Sequence, residues 1–324
     1  MSNIPIPLFL KRFFALSPSD CIAHAQACFR ELQTLQAKRL KDARDPTSTF
    51  SLSVALSPSL QDKNRYSDII PYDHTRVILN STECDYINAS HIVPPFGIPR
   101  SYIASQGPIE ETISDFWIMI LEQCSKVIVC LTPEVEGGRQ KCARYWPSWE
   151  QERVREFDVS DTKKLVVECT QPEQYNNNAE CHIRQIEIRL FEHDAPTQSL
   201  SVTQLQFLGW QDHSALDSTK NFLQLIQLSN DLQAKCNGNS GPVTVHCSAG
   251  CGRTGTFCVV DSALSLTNMM REGSIKDDGQ DYIFELTDSF RRQRVTMVQA
   301  PSQYYFCYLA LMDALGGITA QNKA

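Results

Sequence analysis

The stretch Pro242-Val243-Thr244-Val245-His246-Cys247-Ser248-Ala249-Gly250-Cys251-Gly252-Arg253-Thr254-Gly255 limits this chain more than any other part of its sequence. The apolar run from Pro242 to Val245 reads as a buried strand. Gly250, Gly252 and Gly255 then break it, and the pattern resumes as a helix that begins near Arg253 and runs through Leu264. A strand, a glycine-rich loop and a helix N-terminus in that order can turn successive backbone N–H groups inward, where the helix dipole adds positive potential. A dianionic phosphate suits that concavity. Cys247 and Arg253 lie on it with five residues between them. Inward amides and a guanidinium favour the thiolate form of Cys247, and His246 and Thr254 offer further hydrogen bonds. A thiolate is a competent nucleophile toward phosphorus. Arg253 can clamp two phosphoryl oxygens with a planar fork, which lysine cannot do. The amides of the loop, from Ser248 and Ala249 through Gly250, Cys251 and Gly252, can hold the charge that develops in the transition state. A cysteine and an arginine at this spacing are a weak signal alone. The preceding histidine, the three glycines and Thr254 make it a specific one.

This segment closely resembles the signature of the protein tyrosine phosphatases, and further segments resemble that family in the same order. They are Lys63-Asn64-Arg65-Tyr66-Ser67-Asp68-Ile69, Asp85-Tyr86-Ile87-Asn88-Ala89-Ser90, Tyr102-Ile103-Ala104-Ser105-Gln106-Gly107-Pro108, Phe116-Trp117, Lys141-Cys142-Ala143-Arg144-Tyr145-Trp146-Pro147 and Gln299-Ala300-Pro301-Ser302-Gln303. They span residues 60–315. The resemblance implies an α/β fold: a single domain with a central, highly twisted mixed β-sheet flanked by α-helices. It also implies hydrolysis of protein phosphotyrosine through a cysteinyl-phosphate, with no cofactor and no metal.

The resemblance assigns the remaining roles. A phosphomonoester needs a protonated leaving group, and the family's mobile acid loop corresponds to Gly209-Trp210-Gln211-Asp212-His213, with Asp212 as the acid and Trp210 as a hinge anchor. Gln211 stands where the family usually has proline. Proline fixes φ and removes a donor, so glutamine is expected to change how often or how fast the loop closes. A phosphotyrosine-binding protein with weak turnover is therefore the competing reading. Tyr66 would stack on the substrate ring and make the pocket too deep for phosphoserine. Asp68 would accept N–H bonds from a bound peptide. Ser67 replaces an arginine that favours acidic substrates in many members, which weakens any such preference here. Gln299 and Gln303 would hold the water of the second step, Glu136 would orient Arg253, and Lys141 would lie near the acid loop. Thr254 would help expel the thiolate.

Composition sets the wider limits. The chain has 324 residues, 42% of them hydrophobic, enough for one large core. A net charge of −7 gives no support to a nucleic-acid partner; the expected partners are phosphotyrosine-containing proteins, and a monomer is the expectation. The 13 cysteines are scattered, with no pair separated by two residues, which argues against a zinc site and against a disulfide scaffold. A thiolate enzyme suits a reducing compartment, so the cytoplasm is expected, with the nucleus an alternative. Cys142 and Cys251 are candidates for a reversible disulfide with Cys247, though buried small hydrophobes are the plainer reading. The first residues lack a signal-peptide pattern, and no apolar run approaches the ~20 residues of a membrane span.

Three regions follow: residues 1–41, an N-terminal segment and helix packed on the domain; 42–315, the catalytic domain; and 316–324, a tail. Docking or disorder is expected for residues 1–18. Ser19 and Asp20 offer caps for a helix ending near Leu40. A helix is expected over Ile109–Cys124, with Phe116, Ile120 and Cys124 along one face. Strands are expected at Val77–Leu79, Tyr86–Ala89, Tyr102–Ser105, Val127–Leu131, Arg155–Val159, Leu165–Cys169, Cys181–Phe191 and Val202–Leu208. Later helices are expected at Thr219–Leu232, Asp281–Arg294 and Ser302–Leu315.

Overall fold

Tyr102–Ser105, Val127–Cys130 and Val243–His246 are buried at every position, so a sheet built from them must be covered on both faces. The computed structural model of the chain describes residues 6–210, 219–236, 238 and 240–316. Its elements, in chain order, begin with α1 (Leu8–Phe14), α2 (Pro18–Asp42), β1 (Arg76–Ile78), β2 (Tyr86–Ile92), β3 (Tyr102–Ser105), α3 (Ile113–Glu122) and β4 (Val127–Cys130). A small hairpin, β5 (Val135–Glu136) and β6 (Arg139–Gln140), comes next. Then follow β7 (Val154–Ser160), β8 (Lys163–Cys169), β9 (Gln174–Asn176), β10 (Cys181–Glu192) and β11 (Ala195–Phe207). The last elements are α4 (Thr219–Ala234), β12 (Val243–His246), α5 (Gly252–Arg271), α6 (Tyr282–Arg291) and α7 (Pro301–Ala314).

One sheet runs in the order β1-β2-β3-β12-β4-β11-β10-β8-β7, with β9 paired to β10. The central strands β3, β12, β4 and β11 are mutually parallel. Both flanks are antiparallel, which makes the sheet mixed. Alternate side chains separate two cores. Tyr102, Ala104, Val127, Val129, Val243 and Val245 face the larger one, shared with α1, α2, α4, α5, α6 and α7. Ile103 and Ile128 face the smaller one, built around α3 and the antiparallel limb. β12 therefore lies at the middle of the sheet, between the two cores. Among the described residues, no helix is long and apolar enough to cross a membrane.

Several local features differ from the sequence expectation. Residues 8–14 form α1, which docks through Phe9, Leu10 and Phe13. The cap of α2 is Ser17, whose hydroxyl accepts from the Asp20 N–H, and Pro18 fills the first turn. Its buried stripe, Cys21, Ala25, Phe29, Leu32, Gln36 and Arg39, keeps helical spacing across about five turns. Over Ile109–Cys124 a 3₁₀ turn (Glu110–Thr112) precedes α3, and the helix ends at Glu122. Cys124 lies beyond that end, exposed and at φ 51°, so it does not share the buried face of Phe116 and Ile120.

Candidate active site

β12 delivers Cys247 to the C-terminal edge of the sheet, and α5 begins five residues later. The thiol is only 5% exposed, and its sulfur accepts a hydrogen bond from the Gly250 N–H at 3.3 Å. Gly250 has φ +71°, and a Cβ there would lie 2.0 Å from the Ser105 carbonyl oxygen, so only glycine fits. A buried arginine holds two of the loop's carbonyls. Arg294, fully buried, donates from Nε to Gly250 O (2.7 Å) and from Nη2 to Ala249 O (3.0 Å) and Asn88 Oδ1 (2.8 Å). Its Nη1 donates to Ser90 Oγ at 3.2 Å.

Arg253 is 3% exposed. Its Nη1 donates to Leu131 O at 3.0 Å and its Nη2 to Glu136 Oε2 at 2.6 Å. The β5–β6 hairpin thus sets the direction of the guanidinium, and Glu136 acts on the site through Arg253. His246 takes the opposite side of β12 from Val245 and packs edge-on against Phe116 and Tyr145 in the smaller core. It bonds to the Tyr145 hydroxyl through Nε2 (2.7 Å) and faces Cys247 O through Nδ1 (3.2 Å). Its bonds therefore go to Tyr145 and to the main chain, and none goes to the Cys247 sulfur, which corrects the expectation of a direct bond to the thiolate. The Thr254 hydroxyl is buried at the first turn of α5 with no hydrogen-bond partner among the described residues, so the expected bond to the sulfur is not formed there either.

Burial pushes the His246 imidazole down from 6.5 to about 4. The folded protein therefore holds this ring neutral at physiological pH. Between pH 6.5 and about 4 the unfolded chain binds a proton that the folded chain does not, so this residue's effect is a loss of stability as pH falls through that window. Proton NMR is expected to show no titration of the His246 ring above pH 6; a midpoint near 6.5 would contradict the burial argument.

One wall of the site carries Tyr66, whose hydroxyl lies 2.9 Å from Ser248 Oγ. Its loop is fixed by side chains rather than by a regular element. Gln106 accepts from Arg65 N (2.9 Å) and donates to Lys63 O (2.8 Å), and Asn88 donates to Asn64 Oδ1 and to Ile69 O, both at 2.8 Å. Arg65 ties the same loop to Gly107 O, Pro108 O and Gln140 O. Asp68 is exposed at the rim. On the opposite wall, Gln303 is buried, and its Oε1 accepts from Gln299 N (3.0 Å) and Ala300 N (3.2 Å). Gln303 therefore caps α7 and places Gln299.

The segment before Gln299 is strained. Thr296 and Val298 have φ of 61° and 60°, unusual for β-branched residues. Arg291 holds it by donating to Met297 O (2.9 Å) and Val298 O (2.7 Å). Gly255 admits it, since a Cβ there would lie 2.3 Å from Val298 N.

Tyr66, Asp68, Lys141, Cys247, Arg253 and Gln299 line one cavity of about 360 Å³, together with Ser248, Ala249, Gly252 and Gln303. Gly250, Cys251, His246 and Thr254 lie behind it as support. Trp210 is 1% exposed and packs against Phe222 and Phe306, at ring-centre distances of 5.3 and 5.7 Å. Gln211 and Asp212 lie outside the described residues. A larger cleft of about 860 Å³, between α4, α5 and α7, contains none of these residues. Cys142 and Cys251 are both fully buried, and burial pushes both thiols up.

Sequence reasoning missed Arg291, Arg294 and the structural use of Arg65 and Asn88. Arg291 and Arg294 are 2% and 0% exposed.

Residues 60–313 match the family described as protein-tyrosine phosphatase. Tyrosine-protein phosphatase 1 of Caenorhabditis elegans is 36% identical over 256 residues, covering 78% of this chain and 23% of that protein. Mouse (Mus musculus) tyrosine-protein phosphatase non-receptor type 9 is 36% identical over 83% of this chain and 44% of its own length. Receptor-type tyrosine-protein phosphatase C of Mus musculus is 40% identical over 82% of this chain and 19% of its own length. The chain thus spans less than half the length of these relatives. Among solved structures, PTPN18 in complex with HER2 phosphopeptides matches with a TM-score of 0.77 at 31% identity, covering 94% of this chain and 97% of that one. The catalytic domain of human protein tyrosine phosphatase non-receptor type 18 matches with a TM-score of 0.73 at 32% identity, covering 90% of this chain and 96% of that one. The order of motifs, the sheet they build and these likenesses agree, and the chain belongs to the protein-tyrosine phosphatase family.

Proposed function

We propose that the chain hydrolyses phosphotyrosine in proteins through a cysteinyl-phosphate. The observation that carries this reading is the placement of Cys247 and Arg253 in one cavity walled by Tyr66, with Glu136 fixing the guanidinium at 2.6 Å. In the first step the Cys247 sulfur forms a bond to phosphorus as the phosphorus–oxygen bond to tyrosine breaks. Arg253 and the loop amides hold the three equatorial oxygens. Asp212, by its place in the acid-loop motif, gives the leaving phenolate its proton. In the second step a water held by Gln299 attacks phosphorus and Asp212 takes a proton back. The sulfur leaves as a thiolate, with the Gly250 N–H as a donor to it. Lys141 lines the cavity, Gln303 supports Gln299, and Trp210, by its place in the acid-loop motif, anchors the hinge. Asp68 receives peptide N–H groups at the rim.

The partners on this reading are phosphotyrosine-containing proteins of the cytoplasm, taken by a monomer; PTPN18, solved with HER2 phosphopeptides, is a similar chain that binds such peptides. Phosphotyrosine specificity comes from the depth set by Tyr66. Hydrolysis of matched phosphotyrosine and phosphoserine peptides tests it. The phosphotyrosine peptide is expected to be the better substrate by at least about 10³-fold in kcat/KM, and Asp212→Ala to lower kcat by about 10²–10⁴-fold with peptide binding retained. Equal rates on the two peptides would remove the role of Tyr66. An unchanged kcat in Asp212→Ala would assign the acid elsewhere.

A further inference from the structure

On the far side of the larger core, α2 carries His24 and Cys28 one helical turn apart, and Asp281 stands opposite them as the cap of α6. One ligand atom from each lies within 4.8 Å of the other two. His24 Nε2 is 3.5 Å from Cys28 Sγ and 3.9 Å from Asp281 Oδ2. A tetrahedral zinc ion, with Zn–N and Zn–O near 2.0 Å and Zn–S near 2.3 Å, separates its nitrogen and sulfur ligands by about 3.6 Å and its nitrogen and oxygen ligands by about 3.4 Å. The nitrogen–sulfur spacing already matches such a tetrahedron, and the nitrogen–oxygen spacing needs to shorten by about 0.5 Å.

The surroundings fit as well. Asp281 keeps Oδ1 for the amides of Ile283 and Phe284, at 3.1 and 3.2 Å. Its Oδ2 accepts from the Tyr308 hydroxyl at 2.5 Å, which orients the carboxylate and leaves that oxygen a second lone pair. Tyr304 in turn lies 2.9 Å from Tyr308, hydroxyl to hydroxyl. The His24 ring rests edge-on against Phe13 at 5.7 Å. Half of the His24 side chain is exposed, which gives an ion a way in from solvent and room for a water as fourth ligand.

We propose that His24, Cys28 and Asp281 form a binding site for a zinc-class divalent ion, separate from the phosphatase centre. One thiolate, one imidazole and one carboxylate select a borderline-soft ion over magnesium or calcium, which want oxygen ligands alone. On binding, the Cys28 S–H proton passes to solvent as the sulfur–metal bond forms, and no electron is transferred. The ion would clamp α2 to α6, the helix whose other end carries Arg291. The cysteine spacing alone argues against a zinc site, and Asp281 joins His24 and Cys28 only through the fold.

Cobalt and zinc test the site in the full chain carrying Cys247→Ser, which removes the catalytic thiol as a competing ligand. Cobalt(II) is expected to bind at one equivalent, with a thiolate-to-cobalt charge-transfer band in the near ultraviolet and strong tetrahedral bands in the visible. Zinc is expected to bleach both and to raise Tm by about 2 °C or more. Adding Cys28→Ser should remove the near-ultraviolet band, and His24→Ala should weaken cobalt binding by about tenfold or more. His24 is half exposed, so its replacement tests the site even where Cys28→Ser lowers expression. A band that survives both substitutions would place the ion on another of the 13 cysteines and overturn the proposal, as would the absence of cobalt binding at submillimolar metal.

Discussion

Replacing Cys247 with serine is expected to lower phosphotyrosine hydrolysis by about 10⁴-fold or more while phosphopeptide binding stays within a few-fold of wild type. The physical reason is narrow. A serine hydroxyl is a far weaker nucleophile toward phosphorus than a cysteine sulfur. The cavity, the Arg253–Glu136 pair and the Tyr66 wall are untouched by the change, so the phosphoryl group still has its cradle. Stability should barely move, because the side chain is smaller by little and its one bond, from Gly250 N–H, passes to the new oxygen. Single-turnover kinetics and calorimetric titration on the same peptide separate the two effects. Residual hydrolysis within tenfold of wild type would show that another group attacks phosphorus.

Arg294→Met is expected to have the largest effect on stability, about 3–5 kcal/mol in urea unfolding. Methionine fills much of the volume but donates nothing, which leaves Gly250 O, Ala249 O and Asn88 Oδ1 buried without their donor. The two loop carbonyls are then free to rotate inward, against the sulfur. A fall in kcat should therefore accompany the loss of stability, in the fraction of protein that remains folded. A stability change below about 1 kcal/mol would mean that water replaces the guanidinium without cost.

How far the sequence could be read depends on which force set each element. Tyr102–Ser105 and Val127–Cys130 were legible because continuous apolar runs have few alternatives to a buried strand. The strand and helix around Cys247 were legible because glycines punctuate them. The β5–β6 hairpin was not, since two-residue strands with exposed side chains carry no periodicity. The helix α1 was hard to foresee because seven residues cannot form a stable helix without the surface they dock on. The burial of Arg291 and Arg294 was not legible, because burial of an arginine depends on carbonyls that only the folded chain brings near it. Tyr66 and Glu136 owed their roles to resemblance, and their partners, Ser248 and Arg253, lie 182 and 117 positions away.

The strand that carries Cys247 runs along the seam between two separately packed interiors, with Val245 wedged into one and His246 into the other. A side chain mounted on such a seam inherits stiffness from both sides. Truncating Ile128 on the α3 side or Val129 on the opposite side would each slacken the mount by opening a void, although neither residue is polar or near phosphate. Catalytic precision in this chain is thus exposed to wear in two places at once, and tolerance to heat should decline before any reacting group is altered.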